Sequence, residues 1–225
     1  MDMTREALAK MIDHSVLKPT VTRADTIAGI EIALKYNVAA ATVKPCFVPL
    51  AAERLRGSDV LVNTVIGFPH GGETTAAKAL QAREAVELGA QELDMVLNIG
   101  ALIGGEDDTV RDDIAAVVNA APGVTVKVIL EVAYLSDDQK VRACQLAEAA
   151  GAHFVKTSTG FAPTGFTLDD LRLMRRSVSP KVQVKAAHGV RSYADALAVA
   201  EIGVTRFGAT QTEKIMTEWG AAHAR

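Results

Sequence analysis

Several features that would place this chain in a membrane or outside the cell are missing from its 225 residues. No apolar run approaches the roughly 20 residues that a membrane-spanning helix needs. Residues 1–14 are rich in charge and lack the apolar centre of a secretory signal. The two cysteines, Cys46 and Cys144, have neither the spacing of metal ligands nor the number that a disulfide framework requires. We therefore expect a cytoplasmic protein that does not enter a membrane.

An excess of one charge sign is also missing. The 24 basic and 27 acidic residues give a formal net charge of −3, and the basic residues are scattered along the chain. Proteins that bind nucleic acid usually gather Lys and Arg into a patch or stripe, so we expect no nucleic-acid partner. The chain has no linker or low-complexity stretch, and its length suits one large domain. We interpret residues 1–225 as a single domain.

What the sequence does contain is a regular alternation of short, β-branched apolar runs with alanine-rich stretches of helical period. This alternation is typical of parallel βαβ units. The predicted strands are Ile12–Leu17, Val38–Val43, Val60–Ile66, Glu92–Leu97, Thr125–Val132, Phe154–Thr157, Val182–Ala186 and Thr205–Phe207. Eight such units predict an α/β protein with the (β/α)8 TIM-barrel fold, preceded by a short helix at Thr4–Met11. A doubly wound sheet is the alternative, although nothing interrupts the alternation.

The stretch Phe154–Phe161, FVKTSTGF, places the lysine Lys156 at the end of an apolar strand. Lysine is almost never fully buried unless it is paired or used chemically. One interpretation is a salt bridge at the end of the strand. The other is a desolvated amine that stays partly neutral and attacks a carbonyl group. Because side chains alternate along a strand, Lys156 is expected to share a face with Phe154 and Ser158.

Further charged residues lie among apolar neighbours on other predicted strands, namely Asp13, Asp94, Glu131 and Lys185. Active-site residues of a (β/α)8 barrel lie at the carboxyl ends of the strands, so these side chains are expected to converge. A cation on the neighbouring strand, Lys185, would disfavour the protonated form of Lys156. The neutral amine could then form a Schiff base with a carbonyl substrate, with Asp94 as the proton shuttle. A salt bridge from Lys185 to Asp94 or Asp13 is compatible with that role.

Glycine-containing turns follow the last three predicted strands, at Ser158–Gly160, Gly189–Arg191 and Gly208–Thr210. Backbone N–H groups that glycine exposes at the start of a helix bind phosphate oxygens. Barrels of this type often hold phosphate near strands seven and eight. The three turns together favour a phosphorylated small-molecule substrate.

Three other polar residues have simpler interpretations. His14 stands beside Asp13 without an HxH pair or a second carboxylate–histidine cluster, so no metal site is expected. Cys46 is interpreted as a small buried cysteine rather than a reactive thiol. Lys127 lies early in the fifth predicted strand and is interpreted as a structural residue away from the carboxyl end of the barrel.

Six motifs, found in a fixed order over nearly the whole chain, resemble one known family. They are Ile12–Pro19 (IDHSVLKP), Val65–Gly71 (VIGFPHG), Glu92–Gly100 (ELDMVLNIG), Lys127–Glu131 (KVILE), Phe154–Phe161 and Val184–Ala187 (VKAA). Together they resemble deoxyribose-phosphate aldolase. The resemblance implies a class I aldolase on a (β/α)8 barrel that uses no metal and no other cofactor. It also implies reversible cleavage of 2-deoxy-D-ribose 5-phosphate to D-glyceraldehyde 3-phosphate and acetaldehyde.

By the same resemblance, Lys156 matches the Schiff-base lysine of the family and Asp94 its proton-relay aspartate. Lys185 matches the lysine that tunes the Schiff-base amine, and Asp13 matches a carboxylate that holds substrate or water. The expected phosphate-binding residues are Gly160, His188, Gly189, Gly208 and Thr210.

The chain departs from the family pattern in three places. The family usually has two glycines after the strand-seven lysine, and here the first of them is His188, which could bind phosphate or shrink the pocket. Lys44 has no explanation from the sequence, and no tyrosine lies near Arg225, where some members use one in proton transfer. The alternatives are an aldolase for another phosphorylated sugar and a non-catalytic phosphosugar-binding barrel. The sequence leaves the oligomeric state open, with a homodimer or a homotetramer as candidates.

Overall fold

Eight parallel strands close into one barrel in the order of the chain in the computed structural model, which describes residues 3–224. The strands are β1 Ile12–Val16, β2 Ala40–Val43, β3 Leu61–Ile66, β4 Glu92–Val96, β5 Thr125–Ile129, β6 Phe154–Lys156, β7 Gln183–Ala187 and β8 Arg206–Ala209. Strand β8 closes the barrel by pairing with β1, with Phe207 beside Ile12 in the register. The closed barrel confirms the predicted (β/α)8 fold and excludes the doubly wound sheet.

The α-helices within residues 3–224 surround this barrel. They are α1 Arg5–Ala9, α2 Arg23–Tyr36, α3 Val48–Arg54, α4 Thr75–Glu87, α5 Ile99–Gly104, α6 Asp107–Ala120, α7 Asp137–Ala149, α8 Leu168–Ser177, α9 Tyr193–Glu201 and α10 Thr212–Ala222. Thr22, Ser136 and Thr167 begin α2, α7 and α8 with reciprocal capping hydrogen bonds, which fix where the loops end. Helix α5 was not predicted, because two of its six residues are glycines, which disfavour helix.

Successive residues on the strands divide between two different environments. Leu93, Met95 and Val128 are fully buried in the apolar layer between the strands and the helices. The residues that alternate with them, Asp94 and Lys127, point to the opposite face, which is the barrel interior. The interior is therefore charged, whereas the layer outside the strands is apolar and supplies the hydrophobic core.

The prediction that Glu131 lies on the fifth strand was wrong. Strand β5 ends at Ile129, and Glu131 adopts φ 55°, in the left-handed region, before a short 3-10 helix at Val132–Tyr134. Its carboxylate accepts hydrogen bonds from the backbone N–H of Thr159, at 3.2 Å, and from the Thr159 hydroxyl. Glu131 therefore holds the loop that follows β6 instead of lining the barrel.

Among residues 3–224, no helix combines the length and apolar character that crossing a bilayer would require.

Candidate active site

Lys156 and Lys185 are paired across neighbouring strands, since Lys156 at the end of β6 is the register partner of Lys185 in the middle of β7. Both amines donate to the same oxygen of Asp94, with Nζ to Oδ2 distances of 2.6 Å for Lys156 and 2.7 Å for Lys185. All three side chains are buried, and 4% of Lys156 is exposed. The predicted convergence of these residues from three different strands is confirmed.

Asp13, on β1, is the second carboxylate of this cluster. Its Oδ2 is in direct contact with the amine of Lys185, and its Oδ1 accepts from Nε of Arg206 at 2.9 Å. The Asp13 side chain is fully buried and lies too deep to line the open pocket. Asp13 therefore joins the predicted cluster as a partner of Lys185.

Lys127, interpreted from the sequence as a structural residue away from the carboxyl end of the barrel, contacts this cluster of side chains. It is the register partner of Asp94 and donates to Oδ1 of Asp94 at 3.1 Å and to Oε2 of Glu92 at 2.7 Å. Arg206 donates to the same Glu92 oxygen from the other side of the barrel. Glu92 and Arg206 were not predicted as site residues, although each lies two residues before one, Asp94 and Gly208 respectively, and so shares its face.

Burial lowers the pKa of Lys156 to about 8. The charge of Asp94 acts to raise this pKa, whereas the charges of Lys185 and Lys127 lower it further. Although burial acts the other way, the three lysine amines hold the pKa of Asp94 well below its usual range. Burial likewise opposes ionisation of Asp13, yet the surrounding cations lower its pKa to about 2. Burial would lower the pKa of Lys127, but the neighbouring carboxylates outweigh it and raise that pKa. Among these groups, Lys156 is the one poised to lose its proton near neutral pH.

A cavity of about 310 Å³ reaches Lys156 from the carboxyl end of the barrel. It is lined by all the residues expected to bind phosphate, namely Gly160, His188, Gly189, Gly208 and Thr210. Two cationic side chains, Lys18 and Arg191, line the same cavity. The structure therefore brings the predicted lysine and the glycine-containing turns to one pocket.

His188 adopts a left-handed backbone conformation with φ 65°, which is uncommon for a residue other than glycine. Its Nδ1 is buried and has no hydrogen-bond partner. The loops after β6 and β7 interlock around it. A Cβ at Gly165 would lie 1.8 Å from the carbonyl oxygen of His188, and a Cβ at Gly189 would lie 2.6 Å from the Phe166 ring. Glycine is required at both positions for these loops to pack, and this packing fixes His188 in the wall of the pocket.

Other residues noted in the sequence lie outside the pocket. His14 faces α10, with Nδ1 2.8 Å from the hydroxyl of Thr212, and burial lowers the pKa of His14 to about 4. Cys46 is exposed, so its interpretation as a buried cysteine was wrong. Lys44, unexplained by the sequence, donates to the carbonyl oxygen of Val21 at 2.8 Å and so secures the loop between β1 and α2. The part of the chain that the structure describes has no cluster of three or more His, Cys, Asp or Glu arranged to hold a metal.

Comparisons with known proteins give consistent results. Residues 7–216 match the model of the DeoC/LacD family of aldolases. The deoxyribose-phosphate aldolase of Caldanaerobacter subterraneus is 49% identical over 215 residues, which cover 94% of this chain and 93% of that protein. The deoxyribose-phosphate aldolase of Carboxydothermus hydrogenoformans is 50% identical over 213 residues, which cover 93% of each. The tetrameric deoxyribose phosphate aldolase of Aeropyrum pernix superimposes with a TM-score of 0.90 at 28% identity, covering 97% of this chain and 93% of that one.

Proposed function

The chain belongs to the DeoC/LacD family of aldolases, and on that premise we propose that it reversibly cleaves 2-deoxy-D-ribose 5-phosphate to D-glyceraldehyde 3-phosphate and acetaldehyde. The observation that carries this proposal is the buried amine of Lys156, which reaches the pocket while it contacts Asp94 at 2.6 Å. A lysine at its ordinary pKa is protonated and inert toward carbonyl groups near neutral pH. Burial lowers the pKa of Lys156 to about 8, which leaves a useful fraction of the amine neutral.

The reaction begins with attack of the neutral Lys156 amine on the C1 aldehyde of the open-chain sugar. One proton moves from the nitrogen to the oxygen to give the neutral carbinolamine. A second proton, equal to the one that Lys156 lost on becoming neutral, must reach that oxygen before it can leave as water. Asp94 contacts both Lys156 and Lys185, so it can pass protons between the amine and the substrate oxygen. Loss of water gives an iminium ion bonded to Lys156.

The iminium ion then accepts the electron pair of the C2–C3 bond. The C3 hydroxyl loses its proton as that bond breaks, and C3 to C5 leave as glyceraldehyde 3-phosphate. The remaining enamine is protonated at C2, and hydrolysis returns acetaldehyde and the free Lys156 amine. The water consumed here equals the water released earlier, so the net reaction needs no co-substrate.

The phosphate is proposed to bind at the glycine-containing turns, away from Lys156. The exposed backbone N–H groups near Gly160, Gly189 and Gly208 suit phosphate oxygens, and Thr210 can donate its hydroxyl. Two cations, Lys18 and Arg191, line the same cavity and favour a dianion there. His188 lines the same cavity and is proposed as a further donor to the phosphate.

One observation favours a second substrate of the same class. The imidazole of His188 occupies space at the pocket wall that glycine, usual at this position in the family, would leave open. Cleavage of another phosphorylated sugar by the same Schiff-base chemistry is therefore the second candidate. It uses the same Lys156, Asp94 and Lys185 and differs only at the phosphate end of the pocket.

We further propose a cytoplasmic enzyme that assembles as a homotetramer or homodimer. Support for assembly comes from the Aeropyrum pernix aldolase, which is described as tetrameric. Size-exclusion chromatography with light scattering decides between monomer, dimer and tetramer.

The deciding assay measures acetaldehyde release from 2-deoxyribose 5-phosphate in the presence of EDTA, coupled to alcohol dehydrogenase and NADH oxidation. Ribose 5-phosphate and other sugar phosphates serve as comparison substrates at equal concentration. Turnover that is fastest with 2-deoxyribose 5-phosphate supports the proposal. Faster turnover of another sugar phosphate supports the second candidate, and no turnover of any of them supports a binding protein instead.

A further inference from the structure

Six charged side chains form a closed ring inside the barrel. Asp94 contacts Lys185, Lys185 contacts Asp13, Asp13 contacts Arg206, Arg206 contacts Glu92, Glu92 contacts Lys127, and Lys127 returns to Asp94. The carboxylates and cations alternate at every step. All six side chains are at least 87% buried, since Arg206, the most accessible of them, is 13% exposed. Such a ring has little contact with water that could screen its charges.

The ring is electrically balanced, and Lys156 stands outside it. Three carboxylates and three cations alternate around the ring, so its formal charge is zero. Lys156 is a fourth cation, which donates a hydrogen bond to Asp94. The two oxygens of Asp94 already accept hydrogen bonds from Lys127 and Lys185. Among the side chains that the structure describes in the barrel interior, Lys156 is therefore the cation without a carboxylate of its own.

We propose that Glu92 and Arg206, which contact neither Lys156 nor the pocket, are positioning residues that close this neutral ring and thereby make Lys156 the surplus cation. Glu92 holds Lys127 and Arg206 at one oxygen, and Arg206 holds Asp13. Without Glu92, Lys127 and Arg206 would turn to the remaining carboxylates and compete with Lys156 for Asp94. This inference rests on the proposed Schiff-base role of Lys156.

Charged and titratable groups surround Lys156 on several strands and loops. They are Asp94 and Glu92 on β4, Lys127 on β5, Glu131 in the loop after β5, Lys185 on β7, Arg206 on β8, Asp13 on β1, and Lys18, His188 and Arg191 at the open end of the pocket. The groups at the open end are partly exposed, so water and salt screen them more strongly. The net charge of the ring should therefore affect the protonation of Lys156 more than these groups at the open end do.

Two single substitutions and their combination test the ring. Glu92→Gln gives the ring a charge of +1, which should make Lys156 release its proton at lower pH. Arg206→Gln gives it a charge of −1, which should make Lys156 keep its proton to higher pH. Each shift is expected to be on the order of one pH unit. The double variant restores a neutral ring, so its Lys156 should titrate close to the wild-type pH. If Glu92 and Arg206 had purely structural roles, the effects of the two substitutions would add in the double variant instead of cancelling.

The readout is competitive acetylation of the lysine amines across pH 6–10, with mass spectrometry following the Lys156 peptide, in protein without substrate. The pH profile of kcat/KM for 2-deoxyribose 5-phosphate is measured alongside. A matched control is Asp113→Asn, which removes a buried carboxylate from an ion pair with Lys78 outside the barrel, and this variant should leave the Lys156 titration unmoved.

Opposite shifts in the two single variants, cancelled in the double variant, support the ring. The ring proposal is overturned if Lys156 titrates at the wild-type pH in both single variants, or if its titration shifts in the same direction in both. Because acetylation reports on Lys156 without turnover, a wild-type protein that lacks aldolase activity would refute the proposed function separately.

Discussion

Lys156 and Lys185 donate to one and the same oxygen of Asp94, from neighbouring strands at matched positions in the register. A single carboxylate oxygen cannot compensate two buried cations fully. Lys185 has a second carboxylate partner in Asp13, whereas the structure described for residues 3–224 gives Lys156 no carboxylate partner besides Asp94. This difference in partners supports the proposal that Lys156 is the nucleophile and that Lys185 tunes it.

Replacing Lys156 by leucine is expected to lower kcat by more than roughly a thousandfold, because no other amine can form the imine at the pocket. The fold should persist. The pKa of Lys156 in the folded state, about 8, lies below its ordinary 10.5, so the unfolded chain binds more protons between these pH values. Wild-type stability from this group therefore rises with pH across that window, and at pH 7 the protonated lysine costs roughly 3 kcal/mol.

The measurements are steady-state kinetics and thermal unfolding at pH 7 and pH 10. We expect the variant to melt no lower than the wild type at pH 7, with a smaller difference at pH 10. Activity within about tenfold of the wild type would refute the Schiff-base role.

Replacing Lys185 by leucine removes a positive charge beside the nucleophile. The pKa of Lys156 should then rise, because the charge of Lys185 contributes to lowering it. We expect the acidic limb of the kcat/KM profile to move to higher pH by on the order of one unit. A profile that stays in place in a variant with measurable activity would show that Lys185 acts in some other way.

The proposed catalytic trio could be predicted from the sequence because each member is a charged residue within an apolar strand. Asp94, Lys156 and Lys185 stand out from their neighbours for this reason, and parallel strands bring such residues together. Glu92 and Arg206 were missed because each is the first residue of its strand. A charged residue at that boundary can equally belong to the preceding turn, so it does not stand out.

Two further features could not be predicted, because each depends on long-range packing. The ring of charges depends on how the tilted strands of a closed barrel meet across its axis, which no single segment encodes. The left-handed backbone of His188 places its carbonyl group so close to Gly165, in a different loop, that no side chain fits at that glycine.

Replacing His188 by glycine tests the proposed phosphate contact. Glycine adopts φ 65° without strain, so the loop should keep its shape. We expect KM for 2-deoxyribose 5-phosphate to rise by about tenfold, the typical effect of losing one hydrogen bond to a charged group. The KM for unphosphorylated 2-deoxyribose should change much less.

His188→Asn is the matched control, since asparagine tolerates the left-handed region and keeps a side-chain donor. Its KM is expected between those of the wild type and the glycine variant. Equal changes for the phosphorylated and unphosphorylated sugars would place His188 outside the phosphate site.

Replacing Glu131 by alanine tests whether its carboxylate holds the loop after β6. The substitution leaves the buried backbone N–H and hydroxyl of Thr159 without their acceptor, which typically costs about 1–3 kcal/mol of stability. Because Thr159 precedes Gly160 in the proposed phosphate cradle, KM for the phosphorylated substrate should rise more than kcat falls. Glu131→Gln keeps one acceptor oxygen and should show a smaller effect. A large loss of kcat with unchanged KM would point to a role in the chemistry instead.

Reductive trapping shows directly whether Lys156 forms the imine. The protein is incubated with acetaldehyde and sodium borohydride in EDTA, digested, and mapped by mass spectrometry alongside the Lys156→Leu variant. If Lys156 is the Schiff-base residue, we expect one ethyl group on Lys156, none on Lys127 or Lys185, loss of aldolase activity in step with labelling, and no comparable labelling of the variant. Preferential labelling of another lysine, or full activity with Lys156 unmodified after exhaustive trapping, would contradict it.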